Sequence, residues 1–194
     1  MTDIRDYYET HAQSYYENTF GLNPSVFLEP FIRVLSPGAS ILDIGCGSGR
    51  DIRWLRQRGF SVTGLERSPA LAKLARSRSR CSVMEGDFET FDFSSGGAWD
   101  AFMMVGALVH IPHERLFPVL RRIIEGRRSF RTALITLKEG DGVIDAVDGR
   151  RFYLWRDEAV RDIYAQLEVT VVSFFRNPSA TDSGESWLGY VVIK

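Results

Sequence analysis

The feature that most constrains the fold of this chain is a short apolar strand that runs directly into a glycine-rich turn. Ile41–Ile44 is followed by Gly45, Gly47 and Gly49, and the helical pattern Asp51–Arg58 comes next. Glycine permits a sharp turn, and its missing side chain lets a ligand approach the backbone. The helix amino terminus beyond the turn adds free N–H groups. The sequence therefore predicts a ligand-binding loop between a strand and a helix.

Strand and helix patterns alternate along the rest of the chain. Helical patterns start at Ser68, at His113 and near Arg156. The further β-rich runs are Ser61–Leu65, Cys81–Met84, Trp99–Val105, Thr132–Leu137, Glu168–Phe175 and Trp187–Ile193. This order predicts an α/β fold with a doubly wound, mostly parallel, seven-stranded sheet and helices on both faces. The last two runs leave no room for a crossover helix, so the C-terminal strand is expected to be antiparallel.

The length of 194 residues suits one α/β domain, and we expect a single domain over residues 1–194. Residues 1–30 are expected to form an N-terminal helical cap segment. Residues 140–155 are Gly-rich around a turn at Val147–Arg150 and predict an inserted ribbon. Because this ribbon leaves the carboxyl end of a parallel strand, it is expected near the active site.

Composition excludes several classes of partner and compartment. The net charge of −1 makes nucleic acid an unfavoured partner and gives no reason to expect an anionic membrane. The longest apolar stretch, 101–109, is too short for a membrane span, and residues 1–10 are too polar for a signal peptide. Cys46 and Cys81 lack metal-ligand spacing, so no metal site is predicted. A cytoplasmic location is the default expectation, and the sequence does not indicate the oligomeric state.

The spacing of the glycines distinguishes between two cofactors. A dinucleotide-binding loop places its third glycine where this chain has Arg50, so pyrophosphate binding is disfavoured. Asp43 adds a negative charge beside the loop, which suits a cationic ligand better than a diphosphate.

The segment Leu42–Gly49 resembles the first motif of the class I, seven-stranded Rossmann-like S-adenosylmethionine-dependent methyltransferases, of the small bacterial type. The resemblance implies methyl transfer from S-adenosylmethionine, with S-adenosylhomocysteine as product. It also implies cofactor binding by the loop residues Asp43, Gly45, Cys46, Gly47 and Gly49. A plainer role for Cys46 is packing beneath the loop.

The resemblance extends along the chain as far as Leu137. Glu66 closes the second strand, where the family has an acid that binds both ribose hydroxyls, and Arg67 follows it. Asp87 matches the carboxylate that accepts from the adenine amine, and Phe88 matches the lining of the adenine pocket. The end of the fourth strand is implied to contribute Val105 and Gly106.

Two residues are implied to bind the carboxylate of the cofactor. Tyr15 matches a tyrosine of the N-terminal segment in small bacterial methyltransferases, and Arg50 matches an arginine that assists it. An alternative is that Tyr15 belongs to an aromatic packing face with Tyr7, Tyr8 and Tyr16.

The methyl acceptor is not identified by the sequence, although a small molecule is favoured because there is no separate recognition domain. His110 and His11 are the candidate catalytic bases, since imidazole titrates near neutrality. An alternative for His110 is a structural role as a cap on the next helix. Arg151 and Tyr153 on the ribbon are further candidates for contact with the acceptor.

Other functions remain open at this point. The chain is alternatively a non-catalytic protein that binds S-adenosylmethionine or a nucleoside, or a methyltransferase acting on RNA or protein. Residues 104–107 lack the Asn/Asp-Pro-Pro-aromatic segment of nucleic-acid amino methyltransferases. A dehydrogenase is a weaker choice, because the third glycine of its fingerprint is absent.

Overall fold

The computed structural model describes residues 4–94, 97–126, 131–179 and 184–194. The strands are β1 Ser40–Ile44, β2 Ser61–Glu66, β3 Val83–Glu85, β4 Ala101–Met104, β5 Thr132–Lys138, β6 Val143–Asp145, β7 Arg151–Tyr153, β8 Thr170–Pro178 and β9 Ser186–Ile193. The helices are α1 Ile4–Thr10, α2 Ala12–Thr19, α3 Ser25–Ile32, α4 Arg50–Arg56, α5 Pro69–Ser79, α6 His113–Glu125 and α7 Asp157–Gln166.

Seven strands form one sheet in the order β3-β2-β1-β4-β5-β9-β8. The pairs among β1 to β5 are parallel, whereas β9 is antiparallel to both β5 and β8. The predicted α/β fold with an antiparallel C-terminal strand is therefore confirmed. The sequence pattern did not predict that β9 inserts between β5 and β8.

Helices cover both faces of this sheet. One core cluster packs α6 and α7 against the sheet through Leu120 and Tyr164, and the other packs α3, α4 and α5 through Phe31, Leu55 and Ala75. All seven residues of β5 are buried, which explains why its sequence reads as a continuous apolar run rather than an alternating one.

The N-terminal segment forms three helices, with a break between α1 and α2 at His11. Glu9 fixes α1 to the start of α5, because its carboxylate accepts from the Ser68 hydroxyl at 2.6 Å and from the Ala70 amide at 3.1 Å. Strands β6 and β7 pair as a separate two-stranded ribbon on either side of residues 146–150. No described helix has the length and hydropathy needed to cross a membrane.

Candidate active site

A cleft lies at the carboxyl ends of β1, β2, β3 and β4, with α1 and α2 over it. The glycine loop after β1 forms its floor. The loop is held against β2 because the amides of Gly45 and Cys46 both donate to the carbonyl of Leu65, at 2.8 and 3.2 Å. This is the edge of an open parallel sheet at which ligands bind.

Glu66 lies in the wall of this cleft at the end of β2. It is only 6% exposed, and burial raises the pKa of its carboxyl. One carboxylate oxygen accepts from the Gly47 amide at 2.8 Å and the other accepts from the Ser68 amide at 3.0 Å. A carboxylate has about four acceptor positions, so free lone pairs remain for a ligand that carries two hydroxyls.

Gly47 allows a close approach between the loop and the helix above it. A Cβ added at Gly47 would lie 3.3 Å from the ring of Tyr15, which lines the cleft, and its φ of +55° is one that other residues rarely adopt. Tyr15 packs edge-on against Tyr8, with ring centroids 5.3 Å apart. The two tyrosines close the side of the cleft beneath α1 and α2.

Asp43 is buried on the central strand behind the loop, at 2% exposure. Its Oδ2 has no hydrogen-bond partner among the described residues. Burial, followed by the negative charge of Asp51, raises the pKa of Asp43 well above its usual range, whereas Arg50 acts in the opposite direction. An unpartnered buried carboxyl is costly, and a cationic ligand in the cleft would relieve that cost.

Arg50 and Asp51 open helix α4 as a bidentate pair. The Nε of Arg50 donates to Asp51 at 2.6 Å and its Nη2 donates to the other oxygen at 3.0 Å. Since a guanidinium has five N–H donors, Nη1 remains available beside Tyr15 for an anionic ligand group.

The opposite end of the cleft is lined by Phe88, Arg67 and Glu89. Asp87 lies beside this end: it accepts from the Glu89 amide at 2.9 Å, and its other oxygen is 4.0 Å from Nη1 of Arg67. Arg115 pairs with Glu89 at the rim. This end therefore combines an aromatic ring with charged groups.

His110 lies at the end of the cleft nearest the ribbon, in a one-turn 3-10 helix, Leu108–His110. Its Nδ1 is 2.6 Å from the carbonyl oxygen of Arg151, which only accepts, so Nδ1 carries the proton. Nε2 is then unprotonated, and it accepts a hydrogen bond from the hydroxyl of Tyr8 at 2.9 Å. Burial lowers the pKa of His110 to about 4, so the imidazole is neutral at physiological pH.

The alternative role of His110 as a helix cap is wrong. Helix α6 begins after Pro112 and has no side-chain cap. His110 instead uses both ring nitrogens to join α1 to the ribbon, because its 3-10 turn directs the ring across the cleft.

The ribbon reaches the cleft through its backbone rather than through the side chains of Arg151 and Tyr153. Arg151 pairs with Asp145 across the ribbon, and Tyr153 packs against His113 at 5.3 Å. The tip of the ribbon contacts α1, where the Tyr7 hydroxyl donates to Asp148 at 3.2 Å.

The structure places most of the predicted cofactor residues in the wall of the cleft, namely Tyr15, Gly45, Gly47, Glu66, Arg67, Phe88, Val105 and Gly106. The others lie behind the wall or beside it, namely Asp43, Cys46, Gly49, Arg50 and Asp87. Of the two candidate bases, His110 lines the cleft. His11 is exposed outside it, with its ring stacked 4.3 Å from that of Tyr7.

Sequence reasoning missed three charged or aromatic residues of the wall, Tyr8, Glu89 and Arg115. The seven-residue spacing of Tyr8 and Tyr15 fits one shared helical face in the sequence, although the two residues lie on separate helices, α1 and α2. No pattern in the sequence marks Glu89 and Arg115, because their pairing depends on the packing of α6 beside the loop after β3.

Comparison with known proteins finds methyltransferases both by sequence and by fold. A family model described as "Methyltransferase domain" matches residues 41–126. The chain is 33% identical over 96 residues to the ubiquinone biosynthesis O-methyltransferase of Xanthomonas campestris. The aligned region makes up 47% of this chain and 40% of that protein. It is 30% identical over 167 residues to the 18S rRNA (guanine(1575)-N(7))-methyltransferase of Saccharomyces cerevisiae. That alignment covers 78% of this chain and 53% of the yeast protein. The chain thus spans about half the length or less of these relatives.

The fold is shared with solved methyltransferase structures. The magnesium protoporphyrin IX methyltransferase of Synechocystis PCC 6803, crystallised with S-adenosylhomocysteine, superposes with a TM-score of 0.78 at 15% identity over 98% of both chains. The segment matched by the family model begins in β1 and includes the glycine loop that follows it. The chain is thus similar to methyltransferases in sequence over residues 41–126, and it shares the Rossmann-like fold of a methyltransferase crystallised with S-adenosylhomocysteine.

Proposed function

We propose that this protein transfers the methyl group of S-adenosylmethionine to a small-molecule acceptor. The observation that carries the proposal is Glu66, a buried carboxylate that lines the cleft and is oriented by the amides of Gly47 and Ser68. Such a fixed acceptor pair fits the two hydroxyls of a ribose. Asp43 and Arg50 would hold the amino-acid end of the cofactor, and Phe88 would face the adenine.

The bound cofactor would supply an electrophilic methyl group on a sulfonium, so the protein needs chiefly to orient the acceptor and to exclude water. Tyr8 and Tyr15 cover the cleft and perform the second task. His110 is the group placed to accept a hydrogen bond from a hydroxyl or amine acceptor and so to orient it, because its Nε2 is unprotonated and the residue lines the cleft. An acceptor would first displace the hydroxyl of Tyr8 from this nitrogen.

A small-molecule acceptor is supported by the contact between helix α1 and the ribbon at one end of the cleft. The Tyr7 hydroxyl of α1 donates to Asp148 of the ribbon, and His110 of the cleft wall joins the same two segments. The ubiquinone and protoporphyrin methyltransferases among the similar proteins have small acceptors by name, whereas the yeast relative is named for rRNA. A cytoplasmic location is part of the same proposal.

The cofactor claim is tested by isothermal titration of the purified protein with S-adenosylmethionine, S-adenosylhomocysteine and NAD. We expect the first two to bind and NAD not to bind. Glu66→Gln should weaken S-adenosylhomocysteine binding roughly tenfold or more, since hydrogen bonds to charged groups contribute about 1.5–3 kcal/mol. Glu85→Gln is the matched control, because Glu85 lies opposite Glu66 on β3 but is exposed and pairs with Arg76. Binding of NAD alone would overturn the proposal.

A further inference from the structure

The positive charge of this protein is concentrated in one segment, although the whole chain has a net charge of only −1. Residues 50–80 hold nine of the 24 Lys and Arg side chains but two of the 25 acids, Asp51 and Glu66. The segment therefore has a net charge of +7, and the rest of the chain has −8. Both acids are buried, at 7% and 6% exposure, so the exposed charges of the segment are all positive.

Contacts with helix α2 and with the end of α5 join four arginines of this segment into one basic surface, made up of Arg53, Arg56, Arg78 and Arg80. The guanidinium of Arg53 lies 4.3 Å from the centroid of the Phe20 ring, and that of Arg78 lies 5.1 Å from the centroid of the Tyr16 ring. These two rings are 4.7 Å apart at the end of α2. Arg56 reaches across from α4 and donates to the carbonyl of Ser79, between Arg78 and Arg80, at 3.1 Å.

The basic surface is not neutralised by acids of the protein. All four of its arginines are exposed, and within the described ranges none of them forms an ion pair. Their neighbour Arg76 does pair, with Glu85. Helix α2 contributes one acid, Glu17, whose carboxylate accepts from Gln13 at 2.7 Å. The positive charge of the surface is therefore available to a partner.

A second run of arginines, on α6, provides a contrast. Arg121 pairs with Glu125 one turn away, and Arg122 donates to the backbone carbonyls of Thr90 and Phe91. These arginines stabilise the helix and the loop beneath it. The arginines of the basic surface lack such acidic partners, so a purely structural role accounts for them less well.

The chemistry of the surface favours a chain of phosphates. A guanidinium presents a planar fork of N–H groups that matches two phosphate oxygens. Stacking on Phe20 and Tyr16 restrains the planes of Arg53 and Arg78, so less side-chain freedom is lost when an anion binds. Arginine planes also stack on the unpaired bases of single-stranded RNA, an interaction that a carboxylate-rich peptide cannot offer.

We propose that the basic surface binds the phosphate backbone of single-stranded RNA. The surface lies behind the glycine loop rather than in the cleft, because the Ser79 hydroxyl beside it donates to the carbonyl of Gly49 at 2.5 Å. The inference goes beyond the proposed function. RNA is a docking partner at this surface, and the methyl acceptor in the cleft is still a small molecule.

The test measures binding of a fluorescein-labelled oligouridylate by fluorescence anisotropy over a range of NaCl concentrations. We expect the wild type to bind it with an affinity that falls as salt rises. The variant Arg53→Gln/Arg78→Gln/Arg80→Gln should bind roughly tenfold more weakly or worse at about 0.1 M NaCl. The slope of log affinity against log salt should become shallower by about 2, since each phosphate contact on a single strand contributes about 0.7.

The matched control removes three exposed arginines that pair with acids on their own helices, in the variant Arg33→Gln/Arg121→Gln/Arg161→Gln. It has the same net charge as the first variant, and we expect it to keep the affinity and the salt slope of the wild type. If the first variant does not fold, Arg78→Gln alone should still reduce the slope by about 0.7.

Three outcomes would overturn the inference. The first is a wild type that does not bind the oligonucleotide, or equal losses in the two triple variants. The second is displacement of the oligonucleotide by S-adenosylhomocysteine, which would place the RNA in the cleft. The third is tighter binding of fluorescent polyglutamate than of RNA, lost in the same variant, which would assign the surface to an acidic protein. None of these readouts depends on methyl transfer, so the proposed function stands or fails separately.

Discussion

Tyr8 and His110, 102 residues apart in the sequence, share a hydrogen bond whose direction is set by the backbone of the ribbon. Because the carbonyl of Arg151 accepts a hydrogen bond from Nδ1–H, the unprotonated Nε2 is the acceptor for the Tyr8 hydroxyl. One imidazole thus links α1, the end of the fourth strand and the ribbon around the cleft. The arrangement keeps a neutral imidazole at the ribbon end of the cleft.

The tautomer of His110 is open to direct measurement. In nitrogen-detected NMR spectra, we expect Nδ1 to be protonated and Nε2 to be bare from pH 7.5 down to about pH 5, because the pKa of His110 is lowered to about 4 by burial. In Tyr8→Phe the Nε2 resonance should move, since its donor is lost, while His11 should not change. Titration of His110 near pH 6.5 would contradict this account.

The same pKa shift predicts a pH dependence of stability. An unfolded histidine has a pKa of 6.5, whereas the pKa of folded His110 is about 4. Between these values the unfolded chain binds a proton at this residue and the folded chain does not. The free energy of unfolding therefore falls as the pH decreases from 6.5 to about 4. At pH 5 this costs about 2 kcal/mol. We therefore expect the free energy of unfolding to fall more between pH 7.5 and 5 in the wild type than in His110→Gln. The exposed variant His11→Gln should behave like the wild type in urea titrations.

The glycine loop makes a separate prediction about steric fit. Gly49 has a φ of +84°, and an added Cβ would lie 2.4 Å from the Ser79 hydroxyl. Gly59 has a φ of +87° but open space around its Cβ position. Gly59→Ala should cost about 1–2 kcal/mol from backbone strain alone. Gly49→Ala should cost at least about 1 kcal/mol more, because α5 must move away. Equal losses of unfolding free energy in the two variants, measured by chemical denaturation, would contradict this prediction and would show that α5 moves away without cost.

Element order and type followed from the sequence because each strand carries its own pattern. The loop Gly45–Gly49 and the acid at Glu66 were identified for the same reason, since their signals are local. The boundaries were less accurate. Strand β3 begins at Val83 rather than Cys81, because α5 ends only at Ser79 and Arg80 adopts a left-handed cap.

What the sequence could not show depends on distant contacts. The placement of β9 between β5 and β8 is decided by its register with both strands. The inclusion of Tyr8 in the cleft depends on Glu9, which fixes α1 to α5. The exposure of His11 depends on the break between α1 and α2, where its ring stacks on that of Tyr7.

The two thiols should differ in reactivity. Burial raises the pKa of Cys46 well above its usual range, and its sulfur packs 2.6 Å from the position of a Cβ added at Gly64. Cys81 is half-buried, and its pKa is raised as well. We expect iodoacetamide to label Cys81 first and Cys46 only after unfolding, as followed by peptide mass spectrometry. Equal labelling rates in the folded protein would show that the loop opens.

The most direct test of the central claim is to follow the methyl label. The wild type and Glu66→Gln are incubated with methyl-labelled S-adenosylmethionine and a cell extract, which is then separated into small molecules, RNA and protein. The account predicts label in the small-molecule fraction, formed by the wild type and strongly reduced in Glu66→Gln. Label in RNA or protein would contradict the proposed acceptor class, and binding of S-adenosylmethionine without any transfer of label would contradict catalysis.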